Sequence, residues 1–362
     1  MLTVDLRDDV AGLDWDARLC ASTGGSIFQT EGWGRFWQAY LGARPRWLVV
    51  RDGRTVVGQL LFHEMLRGHE SLLASGGSRL ARLAGPLLKV FRWWQGPVIH
   101  DPDRRAEIME AILSRLEALA ARRRLCGIEE ASLPLPGADE TDVLGVFRSA
   151  GYRPEWRATI LVDLTVGVDA LWANLKKDVA RTRVRKAQRQ GLELARVDSL
   201  AALQEFHQLV TEWRREEGFP PYELARYGGM FEHLAPHCSF FLVRLQGEAL
   251  AGMGVYDFNG RAHLVTPVTS RRARARQIYA GDFLHWEVMR WCHDQGCRVL
   301  DLAGVAASPG STKEEGIRRF KGKWGGRQVR YRVFTRVRTP ARWNLVTAAR
   351  SARRSLRALR LG

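Results

Sequence analysis

Lys321 and Lys323 lie among four glycines, Gly316, Gly322, Gly325 and Gly326, in a chain with only seven lysines. A compact three-donor cation among residues that permit close backbone approach suits a developing oxyanion. The same residues also describe an exposed loop lysine whose glycines serve turns, and both readings stand at this point. Asp301 ends an apolar run beside Gly304. It reads either as an acid that orients a substrate amine or holds an arginine, or as a cap on a loop. Glu129 and Glu130 close a similar run earlier and are the other carboxylates to consider for proton uptake. Lys176, Lys177, Arg181, Arg183, Arg185, Lys186 and Arg189 crowd one predicted helix, where Arg181, Arg185 and Arg189 share a stripe and Val184 and Ala187 face inward. Adjacent like charges repel, so such a stripe is tolerated best beneath an anion. A solvated helix relieved by Asp178 is the alternative.

Other chemistries find no support. The nine histidines form no ligand spacing, and the G-x-S-x-G elbow of serine hydrolases is absent. The five cysteines make no C-x-x-C pair and are odd in number, which fits buried reduced thiols better than a metal site or a disulfide framework, and no cofactor is expected. The formal charge of +17 calls for a polyanionic partner, whether nucleic acid, diphosphate or anionic lipid. Arginine outnumbers lysine 49 to 7, however, a ratio that a GC-rich genome would also produce. No stretch approaches the roughly 18 apolar residues that span a membrane, and no export signal is read at the first residues, so a cytoplasmic protein is expected.

The elements that would carry these residues occur twice. Trp47 to Phe62 is apolar and β-prone on either side of Asp52-Gly53, a hairpin signal, and Phe241 to Tyr256 repeats it, with Gly53 matching Gly247 and Gly58 matching Gly252. A helical pattern follows each hairpin, about Asp103 to Arg123 and Gly281 to Gln295, and leads into short strands, Gly127 to Ser132 and Arg298 to Leu302. Helices are also predicted over Gly32 to Tyr40, Leu171 to Gln190 and Leu200 to Glu217, and a strand over Ala158 to Leu164. This predicts an α/β protein of two domains, residues 1–155 and 156–335, each a mixed sheet flanked by helices as in N-acetyltransferase folds. Residues 336–362, with Arg342, Arg350, Arg353, Arg354, Arg357 and Arg360 among leucines, read as a basic amphipathic tail. That tail either meets anionic membrane or RNA, or caps the fold.

Five stretches in order resemble the FemABX family of peptidoglycan aminoacyltransferases, covering Phe28 to about Tyr331. They are Phe28-Gln29-Thr30-Glu31-Gly32-Trp33; Gln95-Gly96-Pro97-Val98; the run from Arg181 to Leu192; Thr211-Glu212-Trp213-Arg214; and Gly296 to Val305 followed by Gly316 to Gly326. The last is similar to G-x-x-x-Y-D-x-x-G-V and then G-x-x-x-F-K-x-x-F-G-G, with Trp324 in place of the second phenylalanine. The resemblance implies two tandem N-acetyltransferase (GNAT)-like domains. It implies transfer of an amino acid from aminoacyl-tRNA, as co-substrate, to an amine of a UDP-linked or lipid-linked muropeptide precursor. It makes Phe320 and Lys321 the pair at the reacting carbonyl, and places Arg35 and Arg214 against a diphosphate. Arg181, Arg185, Lys186, Asp301 and Lys323 complete the expected substrate-binding set. The long helical hairpin of larger members has no counterpart here, so the chain resembles the compact ones.

Two rivals remain open. An acyl-CoA-dependent N-acyltransferase would bind pyrophosphate at a glycine-spaced loop before a helix, and the corresponding stretch Arg274 to Asp282 has the wrong spacing. A non-catalytic RNA- or membrane-binding protein would explain the charge but would not need Phe320 and Lys321.

Overall fold

In the computed structural model, residues 1–68, 88–135, 141–345 and 347–348 are described. The chain forms two compact units, Met1–Trp156 with the segment from Tyr331 onward, and Arg157–Arg330.

Unit 1 contains β1 (Leu2–Arg7), β2 (Arg44–Asp52), β3 (Thr55–Leu66), β4 (Lys89–Arg92), β5 (Val98–Ile99) and β6 (Gly127–Ser132), ordered β1-β2-β3-β4-β6 with β5 on β3. β2 and β3 form the hairpin expected around Gly53. Helix Arg105–Arg122 buries Ile108, Met109, Ile112, Leu113 and Leu116, spaced by three and four, onto Leu48, Val50, Leu60 and Phe62. A Cβ on Gly58 would come within 2.9 Å of Ile108 Cγ2, so this glycine sets how closely helix and sheet approach.

Unit 2 contains β7 (Arg153–Asp163, mostly within it), β8 (Glu193–Arg196), β9 (Cys238–Leu245), β10 (Glu248–Phe258), β11 (Arg261–Thr269) and β12 (Val299–Val305), ordered β7-β12-β11-β10-β9-β8. Only β11 and β12 run parallel; the other neighbours are antiparallel. The β9–β10 turn has Gln246 at φ 51° and Gly247 at φ 83°, which suits the right-handed twist of the flanking strands. Helix Ala280–Asp294 buries Phe283, Leu284, Val288, Met289 and Cys292 in the core of this unit. Gly252, the repeat partner of Gly58, also marks a close approach: a Cβ there would meet Phe206 at 2.8 Å.

The chain then returns as β13 (Arg327–Val337), which pairs antiparallel with β6 and stacks Phe334 on Phe147 with ring centroids 3.8 Å apart. Residues 340–345 are helical and Trp343 lies over the Arg67 guanidinium at 3.7 Å. The tail arginines from Arg350 on lie outside the described residues.

Two sequence expectations are corrected. The continuous helix over Leu171 to Gln190 is three pieces: helix Val168–Asn174, a π-helical turn Lys177–Arg181 and helix Thr182–Arg189. The break falls at Leu175, which is buried with ψ 140°, and at Lys176, whose N–H leaves the helix to donate to Lys323 C=O at 3.0 Å. Phe320 and Lys321 are not on a loop but in the last turn of helix Thr312–Gly322. Ser311 caps that helix by accepting from Glu314 N–H, and Glu314 and Glu315 in its first turn suit the positive end of its dipole.

Candidate active site

β11 and β12 pair over only three residues each, Arg261 to His263 against Val299 to Asp301. Where that ladder ends, the pairing of β12 with β7 is interrupted between Asp301 and Gly304. At the interruption Ala303 adopts φ 65°, a conformation that costs a non-glycine residue about 1–2 kcal/mol. The Asp301 side chain holds it there. Its Oδ1 accepts the Ala303 N–H at 2.8 Å and the Thr159 hydroxyl, and its Oδ2 lies 3.1 Å from His263 Nδ1. Burial works to raise the Asp301 carboxyl, but the His263 ring and the bonds from His263, Thr159 and Ala303 outweigh it, holding the group below its ordinary value.

The bulge turns two carbonyls toward helix Thr312–Gly322. Lys321 Nζ donates to Ala303 O at 3.1 Å and Gly304 O at 2.8 Å. An ammonium has three donors, so one remains for a ligand. Burial lowers Lys321 to about 8, against the pull of Asp301. Asp301 is therefore bonded to this scaffold, and among the described residues no hydrogen bond links it to an arginine.

Phe320 and Lys323 sit differently. The Phe320 ring packs on the unit 2 core, edge-on to His285 at 5.0 Å. Lys323 is 3% exposed, is paired with buried Asp282, and has its ammonium 4.0 Å from the Phe320 ring centroid. A lysine enclosed in this way supports the helix end rather than facing a substrate. The glycines that follow approach the protein itself: a Cβ on Gly325, at φ 79°, would meet Asn174 at 2.9 Å, and one on Gly326 would meet Ile160 at 2.6 Å.

His285 stacks on Trp324 with ring centroids 5.2 Å apart, and its Nδ1 donates to Gly281 O at 2.7 Å. Burial holds it down to about 4, so it is neutral at pH 7. The unfolded histidine titrates near 6.5 and takes up its proton first. Stability from this residue is thus fully present above 6.5 and is lost as pH falls through about 4, by roughly 3 kcal/mol in all. Thermal melts between pH 7 and pH 4 should show this loss, and His285→Gln should flatten it.

The remaining expected residues fall as follows. Arg35 is in unit 1, exposed and paired with Glu31 at 2.6 Å. Arg214 is in unit 2; its Nε donates to Pro220 O at 2.6 Å and its guanidinium lies 3.6 Å from the Tyr222 ring centroid. Arg226 covers the same ring at 4.2 Å. Arg185 and Lys186 are exposed, Arg181 is half-buried, and Arg185 lies over Trp172 while Lys186 lies over Tyr279. Glu129 and Glu130 are paired with arginines, Glu129 with Arg67 at 3.1 Å and Glu130 with Arg92. His263, Thr159, Asp282 and His285 border the site and carry no local signal, since the side chains they meet, Asp301 for the first two, Lys323 for Asp282 and Trp324 for His285, lie far off in the sequence.

Residues 174–322 match the family model described as an acetyltransferase (GNAT) domain. Among solved structures the chain is similar to FemX, with TM-score 0.73 and 14% identity over 94% of this chain and 99% of that one. It is also similar to L-PGS from Bacillus licheniformis, with TM-score 0.54 and 15% identity over 91% of this chain and 98% of that one. A tandem GNAT protein from the clavulanic acid biosynthesis pathway aligns with TM-score 0.55 and 14% identity, over 93% of this chain and 98% of that one. No curated protein matches the sequence. The chain is therefore a tandem GNAT-fold protein whose fold resembles that of FemX.

Proposed function

We propose that this protein is an acyltransferase that moves an amino acid from aminoacyl-tRNA to an amine of a peptidoglycan precursor, with Lys321 as the catalytic cation. The observation that carries this is Lys321 itself, tied by two donors to the carbonyls of Ala303 and Gly304 and left with a third. In the reaction the amine nitrogen bonds to the ester carbonyl carbon, and the carbonyl oxygen becomes an oxyanion. Collapse then breaks the bond to the ribose oxygen, which leaves with the proton the nitrogen gives up. Lys321 donates to the oxyanion from a fixed position, so little reorganisation opposes the step. A group held to about 8 is also close enough to neutrality to pass a proton to the departing oxygen.

An RNA donor is favoured over acyl-CoA by the stretch Arg274 to Asp282 that leads into helix Ala280–Asp294, whose glycine spacing is not that of a pyrophosphate-binding loop. The resemblance to the Fem motifs around Phe320 and Lys321 supports the same donor, as does the charge of +17.

The test follows label from a pool of aminoacyl-tRNAs, and separately from acetyl-CoA, into UDP-linked and lipid-linked muropeptides. Transfer from aminoacyl-tRNA is expected; transfer from acetyl-CoA alone overturns the reading. The rate should also fall as pH rises through about 8, because Lys321 loses the proton that makes it a donor. A pH–rate profile with no alkaline limb near that value would remove the ammonium from the chemistry.

A further inference from the structure

Five arginines of unit 2 are matched to acids. Arg244 pairs with Glu205, Arg272 with Glu248, Arg274 with Glu216, Arg290 with Glu287 and Arg318 with Glu315. The segment from Lys176 to Arg189 instead gathers seven cations within fourteen residues. Among the described residues none of Lys176, Lys177, Arg181, Arg183, Arg185, Lys186 and Arg189 makes an ion pair. All but Arg181 are exposed, and the buried Arg181 Nε has no hydrogen-bond partner. Such a run repels itself, and an anion lying over it removes that cost.

We infer that this segment is a track for the phosphodiester backbone of an RNA strand, and that it delivers the aminoacylated end of that strand to Lys321. The inference rests on the donor proposed above. Four features select an RNA strand. The segment spans roughly 20 Å at 1.5 Å per residue, several times the reach of one diphosphate. Aromatic faces interleave with the cations: Arg183 and Lys186 both lie 5.2 Å from the Tyr279 ring centroid, and Arg185 lies 5.4 Å from that of Trp172. Cations alternating with aromatic rings suit a strand that offers both phosphates and bases. The apolar residues of helix Thr182–Arg189, Val184 and Ala187, are fully buried, so the exposed side has nothing to insert into a bilayer. Finally, the track is joined to the site by the bond from Lys176 N–H to Lys323 C=O, two residues from Lys321.

Phosphate contacts release counterions, so the test reads the salt dependence of binding. The full-length protein and a variant with Arg181→Gln, Arg185→Gln and Arg189→Gln are titrated with a fluorescent aminoacyl-tRNA across a salt series, with far-UV circular dichroism as the folding check. The single variant Arg185→Gln provides a milder case should the triple variant misfold. The triple variant should bind at least tenfold more weakly at physiological salt. The slope of log Kd against log salt should fall by about two to three units. KM for the RNA donor should rise while KM for the muropeptide does not.

Unchanged affinity and slope in both variants overturn the track. Equal loss of binding to phosphatidylglycerol vesicles, with RNA binding intact, overturns it in favour of a membrane contact. If the variants lose RNA binding but the wild type transfers nothing from aminoacyl-tRNA, the track stands and the donor reading fails. If transfer proceeds with the same KM in the variants, the donor reading stands and the track fails.

Discussion

Lys321→Ala should lower the rate of aminoacyl transfer by roughly 10²–10³-fold, the loss seen when one preorganised oxyanion donor is removed, and leave the melting temperature nearly unchanged. Its two anchoring carbonyls need not stay unpaired in the variant, because Gly304 is exposed and water can replace the ammonium. Lys321→Arg should recover only part of the rate. A planar guanidinium brings its donors further from the backbone than an ammonium does, and the anchor is built for a point charge. Single-turnover kinetics with preformed aminoacyl-tRNA separate the chemical step from binding. A variant with a normal single-turnover rate would remove Lys321 from the mechanism.

Two residues along the same chain, Lys323→Ala should do the reverse. It leaves the Asp282 carboxylate, 6% exposed, without its counter-ion, and breaking a buried pair on one side costs about 3–5 kcal/mol. For a domain of this size that corresponds to a fall in melting temperature on the order of 10 °C. Replacing both partners, Lys323→Met with Asp282→Leu, should recover much of the loss, since two apolar groups of similar volume leave no charge behind. Differential scanning calorimetry at pH 7 decides the matter. A Lys323→Ala protein that melts like the wild type would mean that Asp282 reaches solvent, and with it the assignment of Lys323 to support rather than substrate would fall.

These contrasting roles were not legible in the sequence, where Lys321 and Lys323 look alike among glycines. What separates them is the helix beneath them. The glycines suggested turns, while the Ser311 cap and the acids after it start a helix that runs through Gly316 to Gly322. Once helical, Lys321 points at β12 and Lys323 turns inward. The work of Asp301 was hidden for a different reason. Its partners Thr159 and His263 are 142 and 38 residues away, and no spacing encodes a bond that only the sheet order creates. By contrast the duplicated hairpins were readable, because Asp52-Gly53 and Gln246-Gly247 sit between apolar runs and local turn chemistry decides them. The FemABX resemblance gave the right fold and pointed to the helix end that bears Lys321. It could not show that the carboxylates closing the corresponding strand of unit 1, Glu129 and Glu130, are paired with Arg67 and Arg92.

The return of the chain as β13 bears on how the molecule is made. Unit 1 begins at the first residue but receives its last strand only after Arg330, so during synthesis it must wait while the whole of unit 2 emerges from the ribosome. Unit 2 is contiguous and can fold as soon as it is out. A polypeptide released before Tyr331 would therefore carry a finished second unit and a first unit whose β6 has lost a neighbour, an open edge of the kind that recruits other chains. Premature termination is thus expected to give a chain for quality control rather than a protein with one working unit.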